Sequence, residues 1–589
     1  MTSATPAPSA FGLTVATPWY PTNHHRMAGS FVAEQARLAA ELDGIRSAGG
    51  LQVVHGEEWG AGAAADAARL RPAFDATLDA LRRTAGTRVS GGSGPVHRVP
   101  VLTVGGDDWG RRGEALVRDV RRALGEFASP AVHGHVGYFG GLLAARLAQP
   151  GARVVATEHS TTLRDVLAQP QARDHYAELI DRADAVFCVS ELVRAQVLDR
   201  VDDPHGRVQV LANPVDFAGA PRRTSPPTAL HRWVFIGGLI ERKGVLRLAR
   251  AFAIAARENP EVTLSMYGTG PLRDQVDAIA REAGVADRLH LHGVLGHREL
   301  LAELPSHDVL FAPSTYETFH LAVPEAVAAG LPVIVTRSGG PEEALAGVED
   351  RVGRFVDVEE SPDQLVDAWR DLSAGLGALD LDGARAELDR RYGLDAVRQR
   401  LARAYGVDGA VSPVADPSLT PGLDATRTPP ERIVVAAVSS WRRFHVEAEL
   451  DAARRLGAPT QLLTADPGIA ALAAEPRGTQ GTNVTVVRPA AVDAASGDGL
   501  VGRARRVAAS VVGAARSGGV RAGLGAARRA LPDLGRPRQV ALLEDATLIL
   551  ADCQSMPLAA ALLERHPGLR PVVELDRVGP LAPPPDATD

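Results

Sequence analysis

Two cysteines, Cys188 and Cys553, are all that the 589 residues contain. That is too few for a disulfide framework or a thiolate metal cluster, and it suits a reducing, cytoplasmic compartment. Lysine is scarcer still: Lys243 is the only one among 64 Lys and Arg residues. Apolar stretches such as Leu321–Thr336 are broken, here by Glu325, Gly330 and Pro332, so none is suited to span a bilayer. The first residues, MTSATPAPSAFG, lack the basic segment and apolar core of a signal peptide. A net charge of -7 gives no footprint for nucleic acid. There is no Walker phosphate loop, and the acidic pair Asp380-Leu381-Asp382 reads as solvated or capping rather than as metal ligands. No cofactor is expected.

What is present is a long alternation of short apolar runs with helical patterns. A chain of this length divides into two or three domains. Runs such as Leu13–Ala16, Leu51–His55, Val101–Val104, Ala131–His133 and Val154–Thr157, then Trp233–Ile236, Thr263–Tyr267, Val309–Ala312 and Val333–Thr336, read as strands separated by helices. That pattern predicts α/β architecture with parallel sheets covered on both faces. The strands fall into two sets divided near Pro221–Pro227. The expected units are 1–220 and 221–407, two facing Rossmann-like domains with a cleft between them, since ligands bind beyond the carboxyl ends of such strands. Residues 408–430 are Pro-, Gly- and Asp-rich and read as a linker, and 431–589 as an α/β extension. Residues 56–99 match no readable pattern.

Three groups of residues point to chemistry. The run Pro313-Ser314-Thr315-Tyr316-Glu317-Thr318-Phe319-His320-Leu321-Ala322-Val323-Pro324-Glu325 takes a strand end through a loop into a helix. It puts the Glu317 carboxylate in the loop and that of Glu325 inside the helix, beside backbone N–H groups that can hold a phosphate. Gly237-Gly238-Leu239-Ile240-Glu241-Arg242-Lys243-Gly244 is a glycine turn carrying two cations. A preorganised cation there stabilises the charge that develops on a departing phosphate. The lone lysine is either a chance survivor of an arginine-rich composition or a mobile ammonium kept for that task. In the first half, His133-Gly134-His135 ends a strand, where a histidine faces the cleft and can donate to a ligand or manage a proton. Gly29-Ser30-Phe31 precedes a helix.

Taken in order, these segments resemble the group 1 glycosyltransferases (glycosyltransferase family 4, GT-B fold), marked by two glutamates with seven residues between them. The turns at Tyr267-Gly268-Thr269-Gly270-Pro271-Leu272, His292-Gly293 and Gly339-Gly340-Pro341-Glu342 are similar to the family's as well. The resemblance covers roughly residues 11–406. It implies that Glu317 contacts a donor sugar and Glu325 the donor ribose. It sets Lys243 on the diphosphate together with Gly29, Gly237, Gly238 and the backbone of Phe319, His320 and Leu321; Arg242 is either a partial substitute for the family's arginine there or an exposed charge at a helix start. His135 becomes the cleft histidine and His133 its buried support, and Glu158-His159-Ser160-Thr161 a further acceptor-side segment. It also implies a helix, Tyr392–Tyr405, that crosses back onto the first domain. Three positions depart from the family: Gly238 where it has Arg, His320 where it has Gly, and Pro214 where it has Gly.

The implied activity is a retaining, metal-independent transfer of a hexose from a UDP- or GDP-sugar to a hydroxyl acceptor, in glycan, polysaccharide or glycolipid synthesis. Two alternatives stay open. One is a sugar-phosphate synthase or phosphorylase of the same fold, the other a non-catalytic scaffold component of a polysaccharide assembly complex. In the extension, Leu548–Glu574 echoes Ala131–Glu158, as if it were a lone N-terminal half of a second transferase without catalytic residues. Its basic stretch Gly502–Arg538 is either an arginine-studded helix covering that region, a partly disordered insert, or a peripheral contact with an anionic membrane.

Overall fold

The computed structural model of the chain describes residues 11–22, 28–89, 91–359, 361–411, 433–437, 443–456, 460–463, 484–487, 547–550, 555–565 and 569–573. Most of the linker and the Gly502–Arg538 stretch lie outside the described residues.

The first sheet contains β1 (Leu13–Thr17), β2 (Leu51–Gly60), β3 (Arg88–Val89), β4 (Val96–Thr103), β5 (Ala131–His135), β6 (Arg153–Glu158), β7 (Ala185–Cys188) and β8 (Val208–Val210). They lie in the order β3-β4-β2-β1-β5-β6-β7-β8, and only the β3–β4 pair is antiparallel. All five residues of β1 and all five of β5 are buried, which is why these strands read as continuous apolar or small-residue runs.

The second sheet contains β9 (Arg232–Ile236), β10 (Thr263–Tyr267), β11 (Leu289–Gly293), β12 (Val309–Ala312), β13 (Val333–Thr336) and β14 (Gly353–Val356), in the order β11-β10-β9-β12-β13-β14. In each sheet the chain winds outward from the centre in one direction, then returns and winds in the other. The reversal leaves a crevice at the carboxyl ends of β1 and β5, and another at those of β9 and β12.

The helix Leu394–Tyr405 belongs to the second half of the sequence but packs on the first sheet. Leu401, Ala402 and Tyr405 share one buried cluster with Leu13, Val15 and Leu38. The Tyr405 hydroxyl lies 2.7 Å from His133 Nδ1, and Arg153 Nε donates to the Ala404 carbonyl at 2.9 Å. The expected crossover is thus a covalent and packed tie between the two halves.

A third parallel sheet is formed by β15 (Ile433–Ala436), β16 (Thr460–Leu463), β17 (Val484–Val487), β18 (Thr547–Leu550) and β19 (Arg570–Val572), ordered β17-β16-β15-β18-β19. This repeats the inner order of the first sheet, with β18 beside β15 as β5 is beside β1, and β19 beside β18 as β6 is beside β5. The extension is not an appendage. Leu548, Leu550, Met556 and Leu562 join the same buried cluster as Leu70, Phe74 and Leu78 of the helix Ala64–Thr84. A side chain at Gly86 would lie 1.9 Å from the Pro571 carbonyl oxygen, so the two backbones touch. Among the described residues no helix is long and apolar enough to cross a membrane.

Because this core is shared, a chain ended at residue 411 should melt more than about 5 °C below the full chain, since uncovering even two large apolar side chains costs about 3 kcal/mol. Differential scanning calorimetry with light scattering checks this. Equal melting temperatures without self-association would mean that the extension does not stabilise the first domain.

Candidate functional site

The site is assembled from the turns that leave these two crevices. After β9 the chain passes through Gly237, whose φ of 153° is open to glycine and rarely to other residues. A side chain on Gly268 would sit 1.9 Å from the Gly237 carbonyl oxygen, so the β9 and β10 ends can approach this closely only without one. A short 3-10 turn, Glu241–Lys243, follows and closes at Gly244, with φ 66°. A Cβ there would meet the Pro313 carbonyl at 2.1 Å, which presses the cationic turn against the end of β12. Thr315 N donates to the Arg242 carbonyl at 2.8 Å, and Arg242 Nη1 to the Tyr316 carbonyl at 2.7 Å.

On this frame sits Glu317, with 5% of its surface exposed. Its backbone is clamped to the loop after β13: its N–H donates to Ser338 O, and its carbonyl accepts from Gly340 N, both at 2.9 Å. Its Oε1 faces Lys243 Nζ at 2.7 Å, Arg242 Nη1 at 3.3 Å and His320 Nε2 at 3.7 Å. Burial pushes the carboxyl up, but the His320 ring, the Lys243 ammonium and the Arg242 guanidinium outweigh it and hold Glu317 at about 2. Burial lowers His320 itself to about 4, so at neutral pH that ring is uncharged and the two cations exceed the carboxylate by one charge. His320 adopts φ 65°, the left-handed region that glycine enters without penalty. The family's glycine conformation is therefore kept, with an imidazole added to it.

Leu321 caps the helix Ala322–Ala328, and Glu325 is buried within it. Its Oε1 takes His297 Nε2 at 2.6 Å. Burial pulls the His297 ring down, but the Glu325 carboxylate pulls harder and raises its affinity for a proton above that of an ordinary imidazole. His297 follows β11 and lies 28 residues before its partner, a separation that carries no sequence signal.

On the facing side, the imidazoles at the ends of β5 and β6 have distinct roles. His133 is satisfied on both nitrogens, by Tyr405 and by Thr157 Oγ1, each at 2.7 Å, and is support rather than surface. His135 Nδ1 lies 3.0 Å from His159 Nε2, leaving His135 Nε2 and His159 Nδ1 unpartnered although buried. Burial holds His135 well below the usual imidazole range, with His133 and His159 adding to it, and lowers His159 to about 3. Both rings are neutral at pH 7. Phe31, two residues beyond Gly29, packs on the His159 ring at 4.4 Å between centroids.

Glu158 requires a correction. A place in the acceptor-side segment implies that it faces a ligand, but it is fully buried and points inward. Its Oε2 accepts from Gly137 N at 2.9 Å and from the Tyr176 hydroxyl at 2.7 Å; its Oε1 accepts from His159 N at 2.8 Å and Ser160 N at 2.6 Å. It joins the helical turn after β5, Val136–Gly141, to the loop after β6. Val136, which opens that turn, holds a φ of 66°, unusual for a β-branched residue.

The two sides meet. Thr318 Oγ1 donates to the His159 carbonyl at 3.4 Å, Gln196 Nε2 to the Tyr316 hydroxyl at 2.8 Å, and the Glu343 carboxylate accepts from Glu191 N at 2.7 Å at the start of the helix Glu191–Leu198. Phe319 is buried in the first domain's own core cluster. The structure therefore gathers Lys243, Arg242, Glu317 and His320 within one contact sphere, and brings His135 against the same junction through His159. Gly238 stands apart: a Cβ there has no neighbour closer than 3.8 Å, so nothing steric forbids a longer side chain.

With this geometry in hand, known proteins give the class. Residues 231–374 match the glycosyl transferases group 1 profile, and residues 76–218 that of glycosyltransferase family 4. Part of each of the first two domains thus matches a glycosyltransferase family. It is 31% identical over 172 residues to a glycogen synthase of Mycobacterium tuberculosis, covering 28% of this chain and 41% of that protein. It is 31% identical over 158 residues to a 2-deoxystreptamine glucosyltransferase of Streptomyces kanamyceticus, covering 26% and 41%. The matches thus span 41% of each of these curated relatives' lengths. In fold the chain is similar to sucrose-phosphate synthase from Thermosynechococcus elongatus, with a TM-score of 0.50 at 17% identity over 67% of this chain and 98% of that one. Two Rossmann-like domains of GT-B type are common to both.

Because Glu158 ties the two histidine loops, Glu158→Gln should destabilise the protein by about 2–4 kcal/mol, as an amide cannot accept all four bonds. Urea unfolding measures this. A change below about 0.5 kcal/mol would show that the loops hold themselves.

Proposed function

We propose that this chain transfers a hexose from a UDP- or GDP-sugar to a hydroxyl acceptor with retention of anomeric configuration. The observation that carries the reading is the convergence on Glu317 of the only lysine, an arginine and an unpartnered buried imidazole, at the crevice between β9 and β12. Buried polar atoms without partners are rare in folded proteins and gather where a ligand completes them. His135 Nε2 and His159 Nδ1 are two more, on the opposite wall. The relatives' names, a glycogen synthase and a glucosyltransferase, are those of proteins that handle sugars.

In this reading Lys243, Arg242, the backbone after Phe319 and the Gly29 loop hold the donor diphosphate, with Gly237 and Gly238 leaving room for it. Glu325 takes the ribose, and Glu317 and His135 orient the hexose. The bond between the anomeric carbon and the β-phosphate oxygen breaks, and its electron pair leaves with that oxygen. The acceptor oxygen forms the new bond on the same face of the sugar, and its proton passes to the departing phosphate. Lys243 is positioned to stabilise the charge on the leaving group, a kind of contribution worth about 3 kcal/mol or more per donor in a dry site. Side chains supply the positive charge, and no metal or cofactor is assigned a role. The acceptor would be a sugar, a glycolipid or a small molecule carrying a hydroxyl, reached from the first domain's side, with the protein in the cytoplasm or at the inner face of a membrane.

Nucleoside diphosphate release from a panel of UDP-, GDP- and ADP-sugars tests this. Release from one donor should fall at least about 100-fold in Lys243→Ala and in Glu317→Ala, with the product anomer matching the donor's by NMR coupling. Neither binding nor release with any donor would favour the scaffold alternative.

A further inference from the structure

We propose that the His320 side chain is a ligand of the donor diphosphate and takes up a proton when the donor binds. This rests on the function proposed above and specifies how its donor site is completed.

Three observations lead there. First, the His320 side chain is 3% exposed, yet neither ring nitrogen has a hydrogen-bond partner. Second, it is held at φ 65°, where a glycine would be free of strain. A strained backbone that carries a buried, unsatisfied imidazole is costly twice over, and a ligand removes the second cost. Third, the ring lies on the Lys243 side of Glu317, 3.7 Å from its Oε1, while the Gly238 position beside the same turn is uncharged and sterically open.

Charge balance favours a proton on this ring. The groups that act on it are Glu317 of its own loop and Lys243 and Arg242 of the turn after β9. Across the junction, His135 and His159 are kept neutral by burial. Without ligand, the two cations exceed the one carboxylate by a single charge. A nucleotide sugar brings two negative charges into the same space, which turns that excess into a deficit of equal size, and an imidazolium at His320 cancels it. Flanked by Glu317 and the diphosphate, the ring rises from its ligand-free value of about 4. By linkage, donor affinity then increases as pH falls through the bound-state value, by up to about tenfold per pH unit for one proton. Lys243 is meanwhile released from Glu317 toward phosphate, and Glu317 toward the sugar.

The experiment is calorimetric titration of UDP-glucose and GDP-mannose, whose diphosphate diesters do not ionise further between pH 5.5 and 8. It is run in buffers of different protonation enthalpy with wild type, His320→Gly, His320→Asn and the double variant His320→Gly with Gly238→Arg. Glycine suits the left-handed position and asparagine tolerates it, so thermal melts should show both folded. Wild type should bind at least about tenfold more tightly at pH 5.5 than at pH 8, with up to about one proton taken up. In both single variants the pH dependence should drop to that left by the His297–Glu325 pair, and His320→Gly should bind at least about tenfold more weakly at pH 5.5. The double variant should regain affinity without regaining proton uptake. If wild type binds a donor and His320→Gly matches it in affinity and proton uptake, the inference is overturned while the function stands. If wild type binds no nucleotide sugar at any pH, the function falls and this inference with it.

Discussion

An ionised carboxylate almost wholly removed from water needs cations or hydrogen-bond donors at hand, and Glu317 has two cations on a single turn. Much of the site's geometry serves that requirement. Gly244 lets the cationic turn lie on the end of β12, Arg242 binds the backbone next to Glu317, and the Ser338–Gly340 loop clamps the glutamate from the other side. Removing one partner of such a buried pair typically costs about 3–5 kcal/mol, because the other charge is left stranded. The pair therefore holds the loop in place in the absence of substrate, and the groups that neutralise one another at rest are those a donor would separate.

The junction with the first domain extends from the same loop. Thr318 and Phe319, the residues after Glu317, reach the His159 carbonyl and the first domain's core, and Glu343 caps a first-domain helix. Glu158 performs the matching task on the facing side, where four hydrogen bonds hold the loops that present His135 and His159. Each wall thus has a buried carboxylate as its fixed point. One is neutralised by cations and lies where a substrate could reach it; the other is satisfied by N–H and O–H donors and sealed from solvent.

Much of this is legible in the sequence for physical reasons. Parallel strands buried on both faces give unbroken apolar runs, so β1, β9, β10, β12 and β13 can be found by inspection. The glutamate spacing and the lone lysine locate the second domain's half of the site. Other parts are hidden. The helix Ala64–Thr84 buries Leu70, Phe74, Leu78 and Leu81 on one face, but alanines and arginines dilute that stripe and Pro72 sits within it. The strand Gly353–Val356 is an edge strand with only Gly353 buried, too short and polar to stand out. His297 meets Glu325 only through folding. Glu158 shows the opposite problem: a carboxylate at a strand end invites a ligand role, and only the fold reveals Tyr176 and three N–H groups around it. His320 looks like a lost glycine until its backbone shows that the glycine conformation remains.

The most direct test of the account is a crystal structure with a bound nucleoside diphosphate. The diphosphate should lie between Lys243 and the backbone after Phe319, with Lys243 Nζ moved from Glu317 to a phosphate oxygen and the Glu317 carboxylate freed toward the sugar side. A nucleotide bound elsewhere, or one bound here with the Lys243–Glu317 pair still closed at 2.7 Å, would contradict the claim that this ion pair is the resting form of the donor site.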